Sequence, residues 1–317
     1  MKRYNIKAII KNVSGRILAS SPKDLIGELL AHRTRKNIIP RSPDFIGIGV
    51  QKAGTTWLCA NLRRHPHIWM PAVKEIHYFD RKLKGSSTLP AFCDDLWYRL
   101  LFSPAPESSK VGEITPRYAL CGDEEIAHMH AVAPDAKLLF LLRHPVERFW
   151  SQCQMAMASG NLAAGDTAAM QFFDFKARRY RGEYSKSIVR FCRQYDPSQM
   201  LLIFYDAIVK QPQRVMLEVF AFLGLSDFTI DPLVLSQRVN TTAINQPMSE
   251  TLRRKITMAY REEMEILADV LGGYASNWVG TGSIDEHHPA VVRLSATHVI
   301  DFDNRCSHSR TSCMRKT

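Results

Sequence analysis

A short stretch near the start of the chain, IGIGVQKAGTTWL at residues 46–58, combines glycines, a lysine and two threonines. Gly49 and Gly54 have the spacing of the loop G-x-x-x-x-G-K-[ST], which holds phosphate groups on backbone N–H groups. Thr55 stands where that loop has its lysine, and Lys52 lies inside the loop instead. The stretch therefore predicts an anion-binding loop whose cation has an unusual position.

Two further sets of polar residues could act beside this loop. Arg143 follows the apolar run KLLFLL, and Ser151 comes eight residues later in a predicted helix, so both could hold one phosphate. Taken alone, such an arginine more often forms a structural ion pair. Glu75 lies among apolar neighbours in KEIHYFD, where partial desolvation would raise its basicity and let it accept a hydroxyl proton. With Lys74 beside it, a solvated ion pair is the alternative.

The elements that must position these groups alternate between strands and helices. Buried strands are predicted at FIGIGV, KLLFLLR and QMLLIFYD. Helices are predicted after the glycine loop, from Pro145, over RVMLEVFAFLGL, and from Ser249 to Gly272. Such alternation produces parallel sheets, which bind ligands at the carboxyl ends of their strands. We expect an α/β fold, a single domain with a P-loop-like central parallel sheet flanked by helices.

Three motifs follow one another along the chain: IGVQKAGTTWL, KEIHYFD and LLFLLRHPVERFWS. In this order and spacing they resemble the sulfotransferases that use PAPS (3′-phosphoadenosine-5′-phosphosulfate), especially the carbohydrate (heparan-type) branch and its bacterial relatives. The resemblance extends over about residues 44–278 and includes GEITPRYAL, LLIFYDAIVKQPQRVMLEVFAFLGL and RVNTTAINQPMSETLRRKI. It implies transfer of a sulfuryl group from PAPS to an acceptor hydroxyl, with a carbohydrate as the expected acceptor and without a required metal.

The resemblance also implies a role for each matching residue. Glu75 is the expected catalytic base, with His77 beside it on the acceptor side. Arg143 and Ser151 match the pair that holds the 3′-phosphate, and residues 239–249 lie where the family folds a loop over the adenosine end. The residues expected to hold the 5′-phosphosulfate are Lys52, Ala53, Gly54, Thr55, Thr56 and Trp57.

One position departs from the heparan-type pattern. Those enzymes carry a second lysine in E-K-[ST]-x-x-Y, where GEITPRY has Ile114. Lys52 is expected to stabilise charge on the leaving phosphate, but the charge that the second lysine brings to the sulfuryl group is missing. Either Arg117 or another cation supplies that charge, or Lys52 acts alone. The acceptor of this chain could also differ from theirs.

Two other functions stay open. A P-loop kinase or NTPase that uses Mg-ATP would share the glycine spacing and an acidic strand end at Asp206, but it would need K-[ST] directly after Gly54. A non-catalytic protein that binds anionic glycans through a basic segment is the third reading. The retained set of lysine, glutamate, arginine and serine argues against it.

The positive charge of the chain is concentrated at its beginning. The net charge is +11 over 317 residues, of which residues 1–43 carry +8, residues 44–278 carry +2 and residues 279–317 carry +1. We therefore expect a basic N-terminal arm (1–43), a sulfotransferase domain (44–278) and a partly flexible C-terminal extension (279–317). The arm is expected to be solvated, with contact to an anionic membrane as the alternative. Nucleic acid is not an expected partner, because no nucleic-acid module accompanies the charge.

The remaining composition sets the expected compartment. No apolar run approaches the ~18–20 residues of a membrane span. Seven cysteines without a C-x-x-C pair favour a reducing compartment and no metal site. We expect a cytoplasmic enzyme, with the inner membrane face as the alternative location of the arm, and a saccharide or glycolipid precursor as acceptor.

Overall fold

A computed structural model describes residues 39–83, 93–174, 179–237, 239, 246–280 and 288–314 of the chain, with side chains up to residue 306. Residues 1–38 lie outside the described part. The solvated or membrane-bound arm therefore stays a prediction. Most of the predicted loop at 239–249 also lies outside it.

The centre of the described part is a six-stranded sheet. Its strands are β1 (Phe45–Gly49), β2 (Ile68–Trp69), β3 (Lys110–Ile114), β4 (Lys137–Leu142), β5 (Met200–Phe204) and β6 (Val291–Arg293). They lie in the order β2-β3-β1-β4-β5-β6. Pairing is parallel from β1 to β5, and β6 pairs antiparallel with β5. The predicted parallel sheet is confirmed for five strands, and the sixth strand makes the sheet mixed.

Helices flank this sheet. In the described residues they are α1 (Thr55–Leu62), α2 (Asp95–Leu100), α3 (Asp123–Val132), α4 (Pro145–Ala158), α5 (Asp166–Asp174), α6 (Tyr184–Cys192), α7 (Tyr205–Lys210), α8 (Pro212–Leu223), α9 (Pro232–Leu235), α10 (Glu250–Leu271), α11 (Gly273–Ser276) and α12 (Ala296–Met314). Single 3₁₀ turns connect some of them, at Pro116–Leu120, Tyr180–Gly182, Pro197–Gln199 and Asn277–Val279.

The predicted helix ends are confirmed, and local chemistry explains them. Pro145 is the first residue of α4, where its missing N–H leaves no helical bond unmade. Ser249 caps α10 by accepting a hydrogen bond from the N–H of Leu252. Gly224 ends α8 in a left-handed conformation with φ of 76°. These three residues therefore determine where α4 and α10 begin and where α8 ends.

The strands that sequence predicted are the apolar, fully buried ones. Every residue of β1 and of β5 is buried, because parallel strands are covered by helices on both faces. Strands β2, β3 and β6 were not predicted. Strand β2 has two residues and β6 has three, too few to show a period, and β3 (KVGEI) carries a glycine and a glutamate.

Residues 279–317 were expected to form a partly flexible extension, but residues 288–314 of this segment, which the structure describes, contain a strand and a helix. Strand β6 extends the sheet, and α12 packs back on the domain with Phe302 fully buried. Arg305 of α12 also pairs with Asp269 of α10 at 2.5 Å. Of the α12 side chains that the structure describes, up to residue 306, Phe302 is the buried one, so the mostly polar sequence of this helix shows no clear helical period. No helix within the described ranges is long and apolar enough to cross a bilayer.

Candidate active site

A cleft of about 700 Å³ opens at the carboxyl edge of the sheet. Lys52 follows β1, Pro116 follows β3, Arg143 follows β4 and Tyr205 follows β5, and all of them line it. This edge is where parallel α/β sheets bind ligands, and the volume is within the usual range of ligand pockets. The predicted site residues that line the cleft are Lys52, Gly54, Thr55, Thr56, Trp57, Glu75, Arg143 and Ser151.

The glycine loop has the conformation that an anion-binding turn requires. Gly54 has φ of +93° and is the residue before α1, and the N-terminal end of this helix lines the cleft with Thr55 and Thr56. A Cβ atom at Gly54 would lie 3.1 Å from Ile208 Cδ1 and 3.3 Å from Tyr205 Cδ2. Both the positive φ and the close packing against α7 therefore require glycine.

Lys52 and Arg143 form the cationic side of the cleft. Arg143 donates from Nη1 to the carbonyl oxygen of Lys52 at 3.0 Å, and its guanidinium lies 4.5 Å from the centre of the Tyr205 ring. Tyr184 donates to the carbonyl oxygen of Arg143 at 2.6 Å. Burial, and then the charge of Arg143, lower the pKa of Lys52. Lys52 and Arg143 are partly buried neighbouring cations, and a bound anion would relieve the repulsion between them.

Ser151 and Trp57 reach the cleft from two different helices. Ser151 lies on α4, two turns after Arg143, and lines the cleft together with Gln154 of the same helix. Trp57 is buried in α1 and donates from Nε1 to the carbonyl oxygen of Leu235 at 2.9 Å. Ala53 is fully buried and does not line the cleft; its N–H points back to Val50 at 3.3 Å.

Glu75 carries a cationic partner on each carboxylate oxygen. Lys74 Nζ lies 2.8 Å from Oε1, and His77 Nε2 lies 3.5 Å from Oε2. Burial acts to raise the pKa of Glu75, but His77 and Lys74 outweigh it and hold the pKa at about 2. The expectation that desolvation raises the basicity of Glu75 is wrong, because these two neighbours compensate the buried charge.

His77 lies next to Glu75 and does not line the cleft. Its Nδ1 lies 2.9 Å from Oδ2 of Asp80, a fully buried carboxylate that Arg117 also approaches at 3.3 Å. Hydrogen bonds to Asp80 and Glu75 raise the pKa of His77 to about 9, against the effect of burial. The ring is therefore a cation at neutral pH, and a catalytic role for it stays a prediction.

The backbone is strained at the three predicted catalytic residues. In the described part of the chain, the non-glycine residues with positive φ are Lys52 (72°), Glu75 (67°) and His77 (57°). Such conformations cost ~1–3 kcal/mol each and persist where surrounding contacts hold them, often at functional sites. Sequence motifs alone give no indication of this strain.

A buried network that sequence reasoning missed supports the Glu75 segment. Glu113 of β3 is fully buried and accepts hydrogen bonds from Tyr98 (3.1 Å), Tyr118 (2.7 Å) and Thr115 (2.6 Å). Burial raises the pKa of Glu113 to about 7, although these hydroxyl groups lower it. Tyr118 accepts from the N–H of Tyr78 at 3.0 Å. The network thus connects β3 to KEIHYFD. Glu113 belongs to the quoted motif GEITPRY, but that motif alone does not indicate the network.

The fold and the cleft together define a class of protein. A glycine loop between β1 and α1, in a mainly parallel sheet with cations at its carboxyl edge, is typical of P-loop-like proteins that bind phosphorylated nucleotides. In the described residues, no group of three or more His, Cys, Asp and Glu side chains is arranged to hold a metal ion.

Comparison with known families assigns the chain within this class. Residues 42–266 match the model of the sulfotransferase domain, so the chain belongs to the sulfotransferase family. A crystal structure of a sulfotransferase from Alicyclobacillus acidocaldarius superposes with a TM-score of 0.61 at 24% sequence identity. The superposition covers 75% of this chain and 98% of the Alicyclobacillus chain, which shows that the two share a fold.

Curated relatives include enzymes named for carbohydrate substrates. The mouse heparan sulfate glucosamine 3-O-sulfotransferase 3A1 is 29% identical over 201 residues, 60% of this chain and 47% of that protein. The human carbohydrate sulfotransferase 15 is 26% identical over 323 residues, 80% of this chain and 57% of that protein. The chain therefore spans about half the length of these relatives.

Proposed function

We propose that this protein transfers a sulfuryl group from PAPS to a hydroxyl group of a saccharide. The observation that carries the proposal is that Lys52, Glu75, Arg143 and Ser151, which are far apart in sequence, line one cleft at the carboxyl edge of the sheet. Family membership supports sulfuryl transfer, and the names of the relatives support a saccharide acceptor. A glycolipid precursor is a finer form of the same proposal.

The co-substrate would bind through the glycine loop and through Arg143 and Ser151, which all line the cleft. Lys52 and the N–H groups around Gly54, with the Thr55 and Thr56 hydroxyls, suit the 5′-phosphosulfate, because donors at a helix N-terminus favour an anion. Arg143 and Ser151 would hold the 3′-phosphate. Ala53 would contribute only its place in the loop, since its side chain is buried.

The chemistry proposed is an in-line displacement at sulfur. The acceptor oxygen forms a bond to sulfur while the bond from sulfur to the 5′-phosphate oxygen breaks, and that oxygen keeps the electron pair. Glu75 takes the hydroxyl proton, and Lys52 stabilises the charge on the leaving phosphate. With a pKa of about 2, Glu75 is a weak base. The proton would therefore move late, when bonding to sulfur has already made the hydroxyl acidic.

One experiment tests this function. The full chain and its Glu75→Gln variant would be incubated with ³⁵S-labelled PAPS and a panel of saccharides, with and without EDTA. Binding of 3′,5′-adenosine bisphosphate (PAP) and of Mg-ATP would be measured in parallel by thermal shift. We expect PAP to stabilise both proteins and label transfer to fall by ~10²–10⁴-fold in the variant.

Three outcomes would contradict the proposal. Stabilisation by Mg-ATP in preference to PAP would indicate the kinase or NTPase alternative. PAP binding without label transfer to any saccharide would favour the non-catalytic binding protein over the enzyme. Near-normal transfer by Glu75→Gln would remove Glu75 from the role of base.

A further inference from the structure

The cleft contains a cation to which the proposed function gives no role in the reaction. Of the described residues that line it, Lys52, Lys74 and Arg143 carry basic side chains. Arg143 is held by the carbonyl oxygen of Lys52 and by the Tyr205 ring. The Lys74 ammonium instead contacts Glu75, and its side chain keeps 20% of its exposure.

Lys74 lies beside the position where heparan-type enzymes carry their second lysine. The N–H of Glu75 donates to the carbonyl oxygen of Ile114 at 3.2 Å, so the Lys74–Glu75 backbone runs along the end of β3. The side chain of Ile114 is fully buried against Gly47 and cannot serve the cleft. Arg117, the other cation considered from the sequence, is directed to Asp80 at 3.3 Å and does not line the cleft.

The contact between Lys74 and Glu75 is one that a ligand can exchange. Both side chains are partly exposed, at 20% and 38%, and both line the cleft, so a bound anion can reach the ammonium. A lysine is a compact charge on a flexible stem, so its ammonium can turn to a nearby oxyanion without movement of the backbone. A sulfuryl group in the cleft would offer such oxygens.

On the basis of the proposed function, we propose that Lys74 is the second cation of the transfer step and that it moves from Glu75 to a sulfuryl oxygen. This movement supplies the charge that Ile114 cannot supply, and it frees Oε1 of Glu75 to accept the hydroxyl proton. No bond is made or broken at Lys74 itself. The transferred proton goes to Glu75, and the electron pair stays on the phosphate oxygen of PAP.

The charged groups around Glu75 set the expected pH behaviour. Lys74 and His77 contact its two oxygens, Asp80 and Glu113 act on His77 from behind, and both of these carboxylates are buried. Loss of the Lys74 charge leaves Glu75 with His77 as its cationic partner. The pKa of Glu75 in the free enzyme then rises, and the acid limb of kcat/KM moves to higher pH.

The test compares three variants of the full chain: Lys74→Met, which keeps the length of the side chain without its charge; Lys74→Arg; and Lys82→Met as the control. Lys82 is 76% exposed and pairs only with the exposed Glu124, at 3.7 Å, among the contacts described for it. Saturating ³⁵S transfer (kcat), the pH profile of kcat/KM and the Kd of PAP would be measured for each.

We expect Lys74→Met to lower kcat by ~10²–10³-fold while the Kd of PAP changes less than about threefold, because PAP lacks the sulfuryl group. The acid limb should move to higher pH, Lys74→Arg should recover part of the loss, and Lys82→Met should match the wild type. If Lys74 does no more than lower the basicity of Glu75, Lys74→Met would leave kcat unchanged or raise it, which would overturn the proposal. A wild-type chain that binds no PAP and transfers no label would overturn the proposed function itself.

Discussion

Glu75 is held in the described structure as a fully ionised but weakly basic carboxylate. Lys74 and His77 each neutralise one oxygen, and Asp80 fixes the His77 ring from its other side at 2.9 Å. General bases work best with a pKa near the working pH. The pKa of Glu75 is held at about 2, so a more effective base requires that this pKa rises when substrate binds. Exchange of one partner on substrate binding would raise it. The strain at Glu75 and His77 shows how firmly the segment is held.

At this scale, His77→Asn is expected to change the pH dependence of the reaction. The folded-state pKa of Glu75 is depressed, so the ionised base persists as the pH falls until about 2, below the range in which rates can be measured. Without the His77 cation the pKa rises toward the ordinary value of ~4.3, and an acid limb should enter the measurable range.

The measurement is kcat/KM for sulfuryl transfer from about pH 3.5 to pH 8, with the exposed His67→Asn as the control. An acid limb that is the same in the wild type and in His77→Asn would show that His77 does not govern the ionisation of Glu75.

Among the elements, β1 and β3 pack closely because β1 has a glycine opposite a large side chain of β3. Gly47 of β1 pairs with Ile114 of β3, and a Cβ atom at Gly47 would lie 2.6 Å from Ile114 Cγ1. The isoleucine therefore fills the space that the glycine leaves. Gly112 of β3 is constrained differently, because a Cβ atom there would lie 2.5 Å from the carbonyl oxygen of Phe45. The first constraint comes from the Ile114 side chain, and the second comes from both the backbone and the ring of Phe45.

This difference can be tested by a double-mutant cycle. Gly47→Ala should lower the free energy of unfolding by ~1–3 kcal/mol through overpacking, and combining it with Ile114→Ala should cost clearly less than the sum of the two single changes. Gly112→Ala combined with Ile114→Ala should lack this relief, since the clash at Gly112 is with Phe45 and not with Ile114. Urea unfolding measures all five variants. Additive losses for the Gly47 pair would refute the packing argument.

For the molecule as a whole, the fold continues beyond the part that matches the family model. That match ends at residue 266, yet β6 pairs with β5 and α12 closes over α6 and α10. Without β6, strand β5 would become an open sheet edge, which favours aggregation. The C-terminal strand and helix are therefore structural parts of the domain that carries the cleft.

Phe302 and Ile300 of α12 provide a matched pair to test this conclusion. Phe302 is fully buried and Ile300 is 59% exposed. Phe302→Ala should lower the free energy of unfolding by ~3–5 kcal/mol, whereas Ile300→Ala should change it by less than ~0.5 kcal/mol. Urea unfolding should remain a single transition. Equal effects of the two substitutions would indicate that α12 does not pack on the domain in solution.

The sequence by itself determined the central strands, the ends of the main helices and eight of the residues that line the cleft. These features depend on local signals: continuous apolar runs for β1, β4 and β5, a proline or serine at a helix start, and motifs in a matching order. Other features depend on contacts between residues that are distant in sequence, and only the tertiary structure shows them. The basicity of Glu75 depends on two neighbours whose positions follow from strained backbone, and the support by Glu113 depends on tyrosines from other elements. Strand β6 and α12 are stable because they meet a sheet edge formed about 90 residues earlier, and no local pattern records that contact.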